Sequence, residues 1–365
     1  MSNFKIPFTL RQHTPIIHFQ ADQSGATLRA TELKPKLDKF LLKMVKDIPF
    51  KTNANKHRSL DYKIKISQDL TSPENIEDRN PLFFGNIGDG EKKKFKQNNK
   101  NITIEFLSFE PKILEAIKNH FEAFLANTNF GTRQSKGFGS FYLEKKEFDK
   151  SLIPYKVYSF ESSKWERDIG LFYQFLRQGI NLPRPNNPFY TKPAIFAYAK
   201  SKGWQWDKKS IKEAYFSNAL DTQIESHSPS DVLEFSSNQK YLLRDLFGLS
   251  SSQEWKSYNN TSIEKEHQEI ERFKSPITFK VVDDVVYFWA NDSVNEILDK
   301  TFTIKAGRRD SLKLATPKSF NFDDFFKFSF KIDLDRHIDS KFHNTNEFKT
   351  LNKIFNELRK QIWVT

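Results

Sequence analysis

The chain has 365 residues, a length that suits two domains, each able to bury its own core. Lysine and arginine number 58 against 46 aspartates and glutamates, so the net charge of +12 favours a polyanionic partner, while 37% hydrophobic content excludes disorder throughout. The complete absence of cysteine removes disulfides, thiolate zinc sites, iron–sulfur clusters and cysteine nucleophiles together.

The first residues, MSNFKIPFTLRQ, lack the apolar centre of a signal peptide, and no run reaches the roughly 20 apolar residues of a membrane span. The expected location is the cytoplasm, with no membrane partner. Phe4, Ile6, Phe8 and Leu10 alternate with polar neighbours, the period of a half-buried strand. A loop holding His13, His18, Asp22 and Gly25 leads to a helix expected to open at Thr31, with Pro35 in its first turn. Its stripe is Leu33, Leu37, Phe40, Leu41, Met44 and Val45. Leu60, Tyr62, Ile64 and Ile66 predict a second strand, and Ile102, Ile104 and Phe106 a third. Between them, the segment 88–101 (GDGEKKKFKQNNKN) has almost nothing to bury and reads as a mobile basic loop. Pro111 then opens a helix carrying Leu114, Ile117, Phe121, Phe124 and Leu125 on one face, and a fourth strand is expected over 138–143. The order β-α-β-β-α-β predicts an α+β fold whose first module is ferredoxin-like, or RRM-like.

The second half predicts a helix over 165–176, a proline-rich break over 182–193, and helical stretches over 208–220 and 239–247 between Ser- and Asn-rich loops. Strands over 276–282 and 285–290, turning at Asp283 and Asp284, precede a helix over 293–300 and a strand over 325–334. A clear helical stripe of Phe348, Leu351, Ile354, Phe355, Leu358 and Ile362 closes the chain. This order suggests a second, degenerate ferredoxin-like module with helical insertions, and domains over 1–150 and 151–365. Residues 1–150 carry 26 basic and 18 acidic side chains, net +8 of the total +12, so the polyanion is expected on the first half.

The most informative segment is GTRQSKGFGS, residues 131–140, between the second helix and the fourth strand. Glycine tolerates positive φ and close backbone approach, and successive exposed amides attract anions. Gly131, Gly137 and Gly139 supply that freedom, Arg133 and Lys136 supply charge, and Gln134, Ser135 and Ser140 supply neutral hydrogen bonding. A P-loop runs from strand to helix and needs Lys-Ser or Lys-Thr after its last glycine, and this segment has neither property. The dinucleotide fingerprint fails because no strand precedes the glycines. A tight helix-to-strand connection is the purely structural alternative.

Residues 131–140, together with 13–41 (HTPIIHFQADQSGATLRATELKPKLDKFL) and 270–280 (IERFKSPITFK) after RDLFGLS at 244–250, resemble the RAMP superfamily of CRISPR-associated RNA-binding proteins. A glycine loop in mid-chain followed by a second module looks most like the first subunits of type III-B Cmr complexes. This resemblance implies a subunit of a ribonucleoprotein that contacts guide RNA, target RNA or both, beside other subunits of a type III CRISPR effector, with no cofactor and no metal. The residues it assigns to RNA are Arg29, Lys34 and Lys36 at the first helix, and Gly131, Arg133, Gln134, Ser135, Lys136, Gly137, Phe138 and Gly139 in the loop. Two catalytic alternatives stand beside it: a metal-dependent target-RNA endoribonuclease using Asp22, or a guide-processing endoribonuclease using His13 or His18. A protein-interaction scaffold whose basic charge is incidental is the alternative of another class.

Overall fold

Residues 4–17, 28–68, 101–216, 238–249, 251–255, 261–307 and 311–362 are described by a computed structural model. The chain runs β1 (Lys5–Gln12), α1 (Ala30–Met44), β2 (Lys51–Thr52), β3 (Arg58–Ser59), β4 (Lys63–Ser67), β5 (Ile102–Leu107), α2 (Pro111–Asn127), β6 (Phe141–Leu143), β7 (Tyr158–Glu161) and α3 (Trp165–Arg177). There follow β8 (Ile180–Leu182), β9 (Phe189–Thr191), α4 (Ala194–Ser201), β10 (Gln205–Trp206), α5 (Asp207–Tyr215), β11 (Lys240–Tyr241), β12 (Ser252–Trp255) and β13 (Thr261–Glu266). The last elements are β14 (Ile277–Val282), β15 (Val285–Ala290), β16 (Thr301–Ala306), β17 (Leu312–Ala315), α6 (Phe322–Phe330), α7 (Leu334–His337) and α8 (Asn346–Ile362). The fold is α+β, in two compact units: Met1–Ile169 with Thr278–Trp289, and Gly170–Ile277 with Ala290–Thr365.

In the first unit four antiparallel strands lie in the order β4-β5-β1-β6. Ile6 sits opposite Phe106, Phe8 opposite Ile104 and Leu10 opposite Ile102, so the alternation read in the sequence places one apolar face. That face meets α2 through Phe121, whose ring centroid lies 4.6 Å from Phe8 and 5.0 Å from Phe106. Leu33, Leu37 and Leu41 of α1 are fully buried in the same core, each stabilising it by roughly 1.5–3 kcal/mol relative to exposure. Helix α2 starts as expected, with Pro111 in its first turn and Glu110 accepting from the Lys112 amide. Helix α1 starts earlier than expected: Arg29 is its N-cap, since its carbonyl accepts from Leu33 N. Pro35 therefore lies inside the helix, where its missing N–H leaves the exposed Thr31 without that intrahelical bond.

Strands β14 and β15 do form, turning at Asp283 and Asp284, but β15 pairs antiparallel with β7, Val286 opposite Phe160 and Phe288 opposite Tyr158. The hairpin belongs to the first unit and does not open a second module, which corrects the expectation from sequence. The second unit holds a six-stranded mixed sheet, β10-β11-β17-β16-β13-β12, parallel where β11 meets β10 and β17 and antiparallel elsewhere. The strand expected over 325–334 is the helical pair α6 and α7. Asn321 caps α6 by accepting from the amides of Asp323 and Asp324, and Phe322, Phe325, Phe326 and Phe330 recur at helical, not strand, spacing. The stretches expected to be helical over 239–247 and 293–300 reduce to β11 with a 3-10 turn at Arg244–Phe247, and a 3-10 turn at Asp292–Glu296. Among the described residues no helix is long and apolar enough to cross a membrane.

Candidate nucleic-acid interface

The glycine loop leaves α2 after its C-cap, Thr128, and closes on itself before β6. Asn129 and Ser140 form an antiparallel bridge, and the Phe130 amide donates to the Gly139 carbonyl at 2.9 Å. Four residues in it take left-handed backbone angles: Gly131 at φ 81°, Arg133 at 55°, Gly137 at 88° and Gly139 at 66°. Glycine is demanded at 139, where an added Cβ would stand well inside 3.0 Å of the Phe130 carbonyl oxygen, and at 131, where it would lie 2.5 Å from that of Ile17.

The amides expected to face phosphate are largely spent inside the fold. Gly131 N donates to Glu32 Oε1 at 2.7 Å, Thr132 N to Ile17 O at 2.7 Å, Lys136 N to Arg133 O at 2.8 Å and Gly139 N to Pro15 O at 2.8 Å. Gly137, Phe138 and Gly139 are buried, and the Phe138 ring packs edge-on against Trp165 at 5.0 Å. The picture of an outward-facing turn is corrected accordingly, because a chain with four left-handed residues bends back onto the segment before α1.

The two lysines of α1 are engaged as well. Lys36 Nζ donates to Glu32 Oε1 at 2.7 Å, Asn129 O at 3.0 Å and Gln134 Oε1 at 3.0 Å, using all three of its N–H groups to tie α1 to the loop. Lys34 Nζ reaches Asp38 at 3.1 Å and Leu60 O at 2.7 Å, and stands 3.8 Å above the Tyr62 ring. Lys136 Nζ is buried 5.9 Å from the Phe279 ring centroid. Arg29, Arg133, Gln134 and Ser135 remain half-exposed. Burial pushes the Arg133 guanidinium down to about 10, which still leaves it protonated at neutral pH.

A residue that sequence reasoning passed over organises this region. Lys280 on β14 is fully buried, and its ammonium donates to Thr128 O at 3.1 Å, Asn129 Oδ1 at 3.2 Å and Phe141 O at 3.2 Å. Burial pushes it down to about 7, while the three acceptors oppose that by favouring the charged form. The signal was present as a lone lysine within the apolar run ITFKVV. Asn129 completes the lock, its Nδ2 donating to Gln134 O at 2.7 Å and Phe279 O at 2.8 Å.

Of the catalytic alternatives, Asp22 and His18 lie outside the described residues. The His13 side chain is 5% exposed, and its Nδ1 accepts the Asp283 backbone N–H at 3.1 Å. Asp283 Oδ1 stands 3.6 Å from the same nitrogen, but a ring nitrogen that accepts an N–H carries no proton, so the contact is not an ion pair. Desolvation pushes His13 down to about 4 against the opposing pull of Asp283. The ring is therefore neutral at pH 7 and anchors the hairpin turn.

Two family models match the chain in succession: residues 3–180 match the Cmr1 N-terminal domain and residues 190–360 the Cmr1 C-terminal domain. No curated protein matches it.

Proposed function

Since the chain belongs to the Cmr1 family of type III-B CRISPR complex subunits, we propose that it is a non-catalytic RNA-binding member of that effector, contacting guide RNA, target RNA or both. The first unit is read as the ferredoxin-like module of that subunit, and the strand order β4-β5-β1-β6 supports this reading. The observation that carries the RNA-binding role is Arg133. It is the one left-handed residue of the loop that is not glycine, and a side chain there costs about 1–2 kcal/mol of backbone strain that glycine would avoid. A half-exposed guanidinium kept at a strained position, on a loop anchored by Lys36, Asn129 and Lys280, is suited to fixed, bidentate phosphate contact. Ser135 beside it and Arg29 at the α1 entrance extend the same role. The neutral, hairpin-bound His13 supports the non-catalytic reading, because a group titrating near 4 is poorly matched to proton transfer at neutral pH.

The test is crosslinking of the purified assembly to labelled guide and target RNAs, with Arg133→Ala beside the wild type. Loss of the crosslink, and a salt slope of log affinity shallower by about 0.7 for the lost phosphate contact, are expected. An unchanged crosslink and slope in a folded variant would refute the role of Arg133.

A further inference from the structure

We propose that the open face of the β4-β5-β1 sheet, together with the Phe4–Phe109 ring pair at its end, is a second single-stranded RNA contact surface, separate from the glycine loop. The inference rests on the reading of the chain as an RNA-binding subunit and names a surface that reading does not use.

The register defines the face. Lys5 of β1 lies opposite Leu107 of β5, which lies opposite Lys63 of β4; in the next row Pro7, Glu105 and Lys65 align. Thr9, Thr103 and Ser67 form the third row. These side chains alternate with the apolar set on the helix-covered face, and all but Leu107 and Glu105 are exposed. With strands about 4.8 Å apart and like-facing residues about 6.7 Å apart along each strand, the rows make a shallow grid of cations and hydroxyls. Its one carboxylate, Glu105, is held by Lys5 at 3.1 Å, and Asp61, next along from Lys63, is held by Lys51 at 2.7 Å. Lys63 and Lys65 form no ion pair among the described residues, so the grid keeps uncompensated positive charge.

At the Lys5–Leu107–Lys63 end stand two phenylalanines that the core does not take. Phe109 is 79% exposed and Phe4 43% exposed, with ring centroids 5.4 Å apart. The Ser108 amide donates to Phe4 O at 3.1 Å, which holds the two backbone segments that carry the rings together beside the last sheet row. An unpaired base stacks on an exposed aromatic ring whatever its identity. Lysines alone would suit any polyanion. Lysines and hydroxyls ending in an exposed ring pair match phosphate, 2′-hydroxyl and base together, which commits the surface to single-stranded RNA.

The experiment measures anisotropy of a fluorescein-labelled oligouridylate of about 20 nucleotides with the full chain, over a salt series. Lys63→Ala with Lys65→Ala is expected to make the slope of log affinity against log salt shallower by about 1.4, the loss of two phosphate contacts. Phe109→Ala is expected to weaken binding about fivefold or more at every salt concentration, with the slope unchanged. Both changes are on exposed side chains, and thermal unfolding checks that the variants remain folded. If the wild type binds and both variants match it within experimental error, this inference is overturned while the proposed function stands, and Arg133→Ala reports on the latter separately. If the variants keep RNA affinity but lose co-purification with a neighbouring subunit, the face is a protein-docking surface and the inference is likewise overturned. Absence of binding by the wild type at low salt sinks both readings.

Discussion

Gly139→Ala is expected to destabilise the first unit by about 4 kcal/mol, through steric exclusion of the turn that closes the glycine loop. A methyl at this position meets the Phe130 carbonyl oxygen and carbon, which are backbone atoms with no rotamer to yield. Relief requires residues 130 and 139 to separate. That movement strains three hydrogen bonds: Phe130 N–H to Gly139 O at 2.9 Å, Gly139 N–H to Pro15 O at 2.8 Å, and Ser140 N–H to Thr14 Oγ1 at 2.9 Å. At about 1 kcal/mol each, with about 1 kcal/mol more for a non-glycine residue at positive φ, the total reaches about 4 kcal/mol. Gly137→Ala is the internal control. It shares the left-handed backbone, at φ 88°, but its Cβ would meet side chains rather than backbone: Trp165 at an ordinary 3.4 Å, and Ile169 and Val281 at 3.1 and 3.2 Å, which can shift by the few tenths of an ångström needed. Its expected loss is about 1–2 kcal/mol. Both glycines lie in one unit, so calorimetry compares the same transition, with a fall of about 2–4 °C per kcal/mol for a unit of this size. Equal losses from the two substitutions would refute the reasoning.

Acidification tests His13. Its folded value of about 4 lies below the ordinary 6.5, so the unfolded chain takes up the proton first as pH falls. The contribution is complete above about pH 6.5 and is lost towards pH 4, a change of about 3 kcal/mol that His13→Gln is expected to remove from a urea-unfolding series across that range. In the second unit, Lys265 and Asp245 form a fully buried pair at 2.5 Å, with Asp245 Oδ1 otherwise unpartnered. Lys265→Met is expected to cost about 3–5 kcal/mol by stranding the carboxylate, and addition of Asp245→Leu to recover most of it in the same urea assay.

How much of this was legible in the chain differs between the two units. Alternation along β1 and β5 and the 3.6-residue stripes of α1, α2, α3 and α8 follow from side-chain periodicity, so strands, helices and their buried faces were readable without coordinates. The second unit resisted because its described strands are short and joined by polar segments, and because a phenylalanine-rich run such as FDDFFKFSF suits strand and helix alike until its Asn321 cap is recognised. The candidate site was legible as a segment but not as a surface. Three glycines, an arginine and a lysine between a helix and a strand marked residues 131–140, yet which amides faced outward was hidden.

Local sequence thus determined the order β1, α1, β4, β5, α2 and β6, the position of the glycine loop and the excess of positive charge on the first half, because each depends only on residues close together in the chain. Tertiary structure alone decided that the 278–289 hairpin completes the first unit, that Lys36 and the buried Lys280 act as ties, and that Phe109 is left outside the core. Those outcomes depend on hydrogen-bond partners up to 152 residues away, such as Thr128 for Lys280, and on which apolar surface the packed helices have already covered.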